Sequence, residues 1–312
     1  MSDYASVAEE ARRAFASVAR LEAASMREPD SKALRINLAA KQKLAEQMRS
    51  RLMEAAEESQ VEVCNYRLIQ TENRRYGLSY VSDSMLSYQY LFTQIHDAQK
   101  NGRKDRAVFG TEALEESMLE VGYTYSGSLG FVLLAPATRD LFATGTLDRS
   151  IETLFQVIDM ERAPDVREVA LVLGNAVLKR VHDWSAANVK GGFDADVRWN
   201  RSDGRQLGQL VERERMERLV GLIEATSDTS NVELPVIGTL VGIDVKAGTF
   251  HLVVPNGGDY RGVLAPTFNR DWEVRVNRSY AATILETRTT LYATDQTRRE
   301  HVLLTLSELQ AS

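Results

Sequence analysis

Asp194 and Asp196 stand two residues apart in the segment FDADVRWN. If that segment is extended, both carboxylates leave the same face, because strand side chains alternate between sides. Together with Glu212 or Glu214, such a pair could share a divalent cation, which prefers hard oxygen ligands, and the resulting chemistry would be metal-dependent hydrolysis. The polar half of an ordinary half-buried strand accounts for the same spacing.

Arginine supplies the second candidate set. Arg198, Arg201 and Arg205 lie in RWNRSDGR, Arg275, Arg278, Arg298 and Arg299 lie near the C-terminus, and Arg74-Arg75 form a further pair. Trp199, Trp272 and Tyr280 are close by in sequence. Guanidinium groups beside aromatic rings can hold phosphates while the rings stack bases, or they can anchor a protein partner. Acidic residues interleave with these arginines, so a solvated ion-pair surface explains them as well.

Other signals are weaker. GIDVK places Asp244 and Lys246 like the Asp-x-Lys half of a nuclease arrangement, with Glu233 as a remote partner, but DVKAGT reads more naturally as a turn. GSLG, Gly127 to Gly130, lacks the outer glycine spacing of a nucleophile elbow and falls in a hairpin. His96, His182, His251 and His301 are too scattered for a local metal motif, His182-Asp183 being the most suggestive. No phosphate loop, dinucleotide fingerprint or zinc-protease helix is found, and no cofactor is expected.

The elements that must position these residues follow from patterning. At 312 residues, 44% hydrophobic and 26% charged, the chain is a globular protein long enough for two or three domains. Cys64 is the only cysteine, which excludes an intrachain disulfide and fits a cytoplasmic setting. No apolar run approaches a membrane span, so no membrane partner is expected. A net charge of −6 weighs against nonspecific nucleic-acid wrapping.

Residues 1–60 predict an antiparallel, coiled-coil-like helical hairpin. The first helix carries a capping box at Ser6 and Glu9, REPDS forms the turn, and the second runs from Ser31 to Ser59. Residues 61–226 predict a mixed α+β domain. Its strands lie at VEVCNYRLIQ, on both sides of a Ser-Gly-Ser turn in MLEVGYTYSGSLGFVLLAP, and at FDADVRWN; its helices begin near Ser82 and cover 147–160, 164–188 and 205–225. TSDTSNVELP reads as a linker. Residues 234–312 then predict a small all-β barrel or sandwich of six strand-like runs. The fold class is α+β multidomain.

With no catalytic signature, the leading expectation is a non-enzymatic assembly or adaptor protein that homo-oligomerises through the hairpin and binds a protein partner with its β module. A place in a bacterial stress or anti-phage system is an impression tied to no particular residue. A nucleic-acid-binding component using the arginine loops and a metal-dependent hydrolase or nuclease are the alternatives.

Overall fold

The computed structural model describes residues 4–59, 61–71, 75–125, 129–136, 145–201, 205–255, 257–269, 274–294 and 296–309. The chain divides into two compact units, Met1–Ala225 and Thr226–Ser312.

The first unit opens with the expected hairpin, α1 (Tyr4–Arg27) and α2 (Lys32–Glu58). Ser31 caps α2 by accepting from the Leu34 amide. Ser6 lies inside α1 rather than capping it, because Tyr4 packs on the same core as Val7, Ala8 and Ala11 and carries the helix past Ser6. The hairpin, expected to homo-oligomerise, turns its small residues to the chain's own sheet. Val7, Ala8, Ala11, Leu52, Ala55 and Ala56 are buried against Val61, Val63, Tyr123, Val132 and Leu134. The hairpin therefore belongs to the α+β unit.

That sheet consists of β1 (Val61–Gln70), β2 (Glu120–Tyr125), β3 (Leu129–Pro136), β4 (Phe193–Asn200) and β5 (Gln206–Val211). Its order is β2-β3-β1-β4-β5, every pairing antiparallel. The hairpin covers one face. The helical layer comprises α3 (Leu78–Asn101), α4 (Thr111–Glu116), α5 (Thr146–Ile158), α6 (Ala163–Val172), α7 (Asn175–Gly191) and α8 (Arg213–Ala225).

On the helix-facing side, aromatic groups interlock through hydrogen bonds. The Trp184 indole donates to the Tyr66 hydroxyl at 2.9 Å, Tyr66 and Ser84 share a bond of 2.8 Å, and the Trp199 indole donates to the Tyr88 hydroxyl at 3.0 Å. All four aromatic side chains are fully buried. Burial also pushes the Cys64 thiol beside Tyr88 up to about 12, which keeps it protonated and inert.

Several boundaries differ from the pattern. The helix expected from Pro164 to Asn188 is two helices, broken at Gly174, whose φ of 96° suits glycine. The Lys104 backbone docks on this break: its amide donates to Leu173 and its carbonyl accepts from Ala176. Residues 205–225 divide into β5 and α8 rather than forming one helix, because Gln206–Val211 pairs with β4 along its whole length. α3 starts at Leu78 rather than Ser82, and α4 had no clear pattern. The Ser126-Gly127-Ser128 turn lies outside the described residues.

The second unit is a closed barrel of β6 (Ser227–Asp244), β7 (Thr249–Val253), β8 (Asp259–Leu264), β9 (Arg278–Leu291) and β10 (Gln296–Glu308). β9 returns beside β6, a Greek-key placement, and β10 closes the ring antiparallel to β9 and parallel to β8. The segment read as a linker is the first half of β6, paired with β9 from Ser227 onward. Residues before Thr239 pair with β9 on one side, and Pro235 is tolerated in such edge-like pairing. Among the described residues five strands form where six runs were expected; Val274–Val276 of WEVRV is not part of a strand, and Trp272 lies outside the described residues. DVKAGT is a turn in which the Asp244 carboxylate accepts from the Lys246 and Ala247 amides.

A Cβ at Gly174 would lie 2.1 Å from the Lys104 carbonyl oxygen, a backbone atom that cannot rotate away. Gly174→Ala should therefore lower stability by about 2–4 kcal/mol. Urea unfolding followed by fluorescence of the buried Trp184 and Trp199 measures this, and a loss below about 0.5 kcal/mol would show that the break relaxes freely.

Candidate functional site

The face of the sheet that meets the hairpin changes character from one side to the other. Directly paired residues of antiparallel strands share a face, so the register arranges them in rows. One row runs Tyr125, Gly130, Arg67, Asp196 and Leu210, and the next runs Tyr123, Val132, Asn65, Arg198 and Gly208. Beneath the base of the hairpin the rows are apolar. Toward β4 and β5 they are polar, and there a cleft of about 690 Å³ opens between the hairpin and the sheet.

Each lining group has a local reason for its position. The Phe15 ring of α1 stacks on Tyr123 at 4.3 Å with an interplanar angle of 7°, forming an aromatic wall. The Tyr125 ring lies across Gly130, where a Cβ would come within 2.2 Å of it. Glycine is required at that close approach. Arg198 Nε donates to both Asp196 oxygens, at 2.9 and 3.2 Å, and Gly208 leaves room for its stem. Arg49 of α2 reaches the cleft with Glu46 3.8 Å away.

The cleft carries charges of both signs, Arg49, Arg67 and Arg198 with Glu22, Glu46 and Asp196. Burial raises the Tyr125 hydroxyl above the ordinary phenol value, while Arg67 and then Arg49 pull it back more strongly than Asp196 pushes. Tyr123 is pushed up to about 12 by burial, against the same Arg49. At Tyr125 the two guanidinium groups therefore act more strongly than the Asp196 carboxylate. The polar groups among the described lining residues are arginines, carboxylates, carboxamides and tyrosine hydroxyls, which suit the cleft to holding a polar group.

Sequence reasoning reached part of this site. Asp194 and Asp196 do share one face of β4, but their carboxylates serve different partners. Asp194 accepts from the Arg213 amide at 2.7 Å at the start of α8, whereas Asp196 holds Arg198. Among the described residues no group of three or more His, Cys, Asp and Glu is placed to hold a metal. Arg198 lines the cleft. Arg201 does not, because it is 3% exposed and paired with Asp148 and with Glu152 at 3.0 Å. Arg205 is exposed and lies 3.5 Å from Glu152.

The barrel arginines do not form one patch. Arg275 and Arg278 stand at the start of β9, and Arg298 and Arg299 pair with its far end at Thr289 and Arg288. At about 3.3 Å per residue, that separation is on the order of 35 Å along the strand. Arg74 lies outside the described residues. The lining groups not foreseen were Arg49, Arg67, Asn65 and Tyr125. The signal for Asn65 and Arg67 was present in the alternation of β1, where they share a face with Val61 and Val63.

The histidines are structural. His96 bonds Glu116 at 3.1 Å and lies 3.4 Å from the Ser150 hydroxyl, an order of groups like that of a serine hydrolase. Ser150 is fully buried, however, and donates to the Thr146 carbonyl at 2.7 Å, so its proton is engaged within α5. In the barrel, His301 bonds Glu286 and His251 bonds Asp259. No family model, curated protein or solved structure matches this chain.

His182 joins α7 to α8, 3.6 Å from Asp183 and 3.1 Å from Glu224. The Asp183 carboxylate first, and Glu224 after it, outweigh burial and raise the imidazole above its ordinary 6.5. A raised histidine contributes stability fully below its unfolded value and loses it as pH rises through the folded value. The urea midpoint of the first unit should fall from about pH 6 to pH 8.5. His182→Gln should flatten that fall, and an unchanged slope in the variant would assign it to another group.

Proposed function

We propose that the chain is a non-enzymatic binding protein of adaptor type, whose α+β unit recognises a carboxylate-bearing group of its partner in the cleft between hairpin and sheet. The observation that carries this reading is the set of Arg49, Arg67 and Arg198 that lines the cleft with Tyr125, beside the Phe15–Tyr123 stack. A planar or aliphatic body would lie along the rings. Its acid would meet guanidinium groups, which bind carboxylates through paired, charge-assisted hydrogen bonds. Support also comes from the lining, which brings arginine, amide and aromatic groups of the hairpin and the sheet to one space.

A small aromatic carboxylate such as phenylacetate tests the cleft directly. Few atoms limit its affinity to about millimolar, within reach of protein-detected NMR titration. Arg67→Ala should weaken binding by about tenfold, and the neutral amide analogue should bind no better than that variant. Equal binding of acid and amide would overturn the reading.

A second reading concerns the barrel alone and rests on one register. Arg288 of β9 lies directly opposite Arg299 of β10, a like-charge pair that destabilises an antiparallel ladder unless an anion bridges it. Five-stranded Greek-key barrels are scaffolds on which single nucleic-acid strands are held. Glu286 beside Arg288 opposes this. The reading expects retention on heparin at low salt, lost when Arg288 and Arg299 are both replaced by alanine; flow-through of the unaltered protein would exclude it.

A further inference from the structure

The two edges of the five-stranded sheet are treated differently. At β2, a bulge between Val121 and Tyr123 interrupts the ladder, and the Arg12 guanidinium takes the carbonyls of Gly122 at 2.9 Å and Val121 at 3.1 Å. Natural proteins guard exposed edges in these ways. The opposite edge, β5, reads QLGQLV, with no proline, no charge and no register shift in its pairing with β4. Leu210 on it is 47% exposed. An antiparallel strand directs the amides and carbonyls of every second residue away from its single partner, so β5 offers bonding groups outward.

This open edge runs between two cavities. Gln206 and Gly208 line the arginine-bearing cleft on the hairpin side. On the helix side, Leu207 and Gln209 line a second cavity of about 870 Å³ between β5, α5 and α6. Its floor is apolar, with Phe155, Met160, Val169 and Leu173, and its rim carries Glu168, Asp159, which is paired with Arg215 and accepts from Gln209, and Asp165, which is paired with Arg162. Leu207 and Gly208 border both spaces, of which the first holds arginines and the second only carboxylates among its described charged groups.

We propose that an extended segment of a partner protein, alternating acidic with apolar residues, adds to β5 as a sixth strand, its acidic side chains entering the arginine cleft and its apolar ones the cavity beside α5 and α6. This rests on the cleft reading above and names the form of the partner. Strand addition takes affinity from main-chain bonds and specificity from pockets for alternate side chains, and both are available here. Charge sets the register. A slip by one residue would turn the acids toward Asp159, Asp165 and Glu168 and the apolar groups toward Arg67 and Arg198. Gly208, which lacks a side chain, allows a backbone to come close in the middle of the edge.

The test uses the full chain and a short fluorescent peptide alternating glutamate with valine. Two copies N-methylated at either set of alternate amides accompany it, with a fourth peptide carrying lysine for glutamate. Fluorescence anisotropy should show binding of the parent, a loss of about tenfold or more in one N-methylated copy with little change in the other, and a similar loss with lysine. Hydrogen exchange should show new protection of alternate amides within Gln206–Val211 on adding the parent. Equal loss or equal retention in the two N-methylated copies, or unprotected β5 amides, would overturn strand addition. If phenylacetate still binds in an Arg67-dependent way while the peptide leaves β5 unprotected, the cleft reading stands and the edge proposal falls. If neither ligand binds, both fall.

Discussion

Two tyrosine hydroxyls buried between the sheet and the helices fix which way its central strands face. Tyr66 on β1 accepts from Trp184 on α7, and Tyr88 on α3 accepts from Trp199 on β4. An indole N–H left without a partner in such a place costs about 1–3 kcal/mol, so both bonds resist any rearrangement that separates them. Moving β1 or β4 by one residue would break a bond and exchange the two faces of that strand. With Tyr66 and Trp199 directed into the helices, Asn65, Arg67, Asp196 and Arg198 have no direction left but the cleft. The polarity of the site is thus a consequence of how the opposite face is held.

The hairpin contributes by covering only part of that face. Alanines at positions 8, 11, 55 and 56 let two helices lie close against β1, β2 and β3, where the strands present Val61, Val63, Val132 and Leu134. Farther along the hairpin, the small core of Ala14, Val18 and Ala45 is shared by the helices themselves. There Arg49, Glu46 and Phe15 reach down to a sheet surface that is already polar. One pair of helices therefore seals the apolar half of the face and walls the other half.

Period and turn chemistry made much of this legible. The hairpin, the strands β1 to β4 and the C-terminal all-β region follow from three-and-four spacing, from alternation and from Gly-, Asn- and Asp-rich turns. What escaped depended on distant partners. QLGQLV is short and ambiguous until β4 lies beside it, and Gly174 looks like a tolerated helix glycine until the Lys104 backbone docks on it. TSDTSNVELP has linker composition, yet pairing with β9 keeps it extended. The cleft was reached only through Asp196 and Arg198, because Arg49 and Tyr125 belong to segments that sequence order leaves far apart. Arg201 shows the converse, since an arginine in a polar loop segment is drawn inward by Asp148 and Glu152.

The polar rows of the sheet hold their charges in a fixed arrangement. Arg198 and Asp196 form a close pair on β4, and Arg67 and Asp196 are direct cross-strand neighbours, so the charges are ordered relative to one another before any partner arrives. Such ordering carries a cost in side-chain entropy that exposed pairs recover poorly, typically yielding about 0–1 kcal/mol each. Apolar residues in the same rows would extend the core already formed by Val63, Val132 and Leu134 and would stabilise the hairpin along more of its length. A sheet that holds arginines, a buried-edge tyrosine and two glycines where it could be uniformly apolar gives up stability for shape and charge. Local departures of this kind concentrate where proteins meet their partners, and the reading proposed for the cleft and for β5 rests on that tendency.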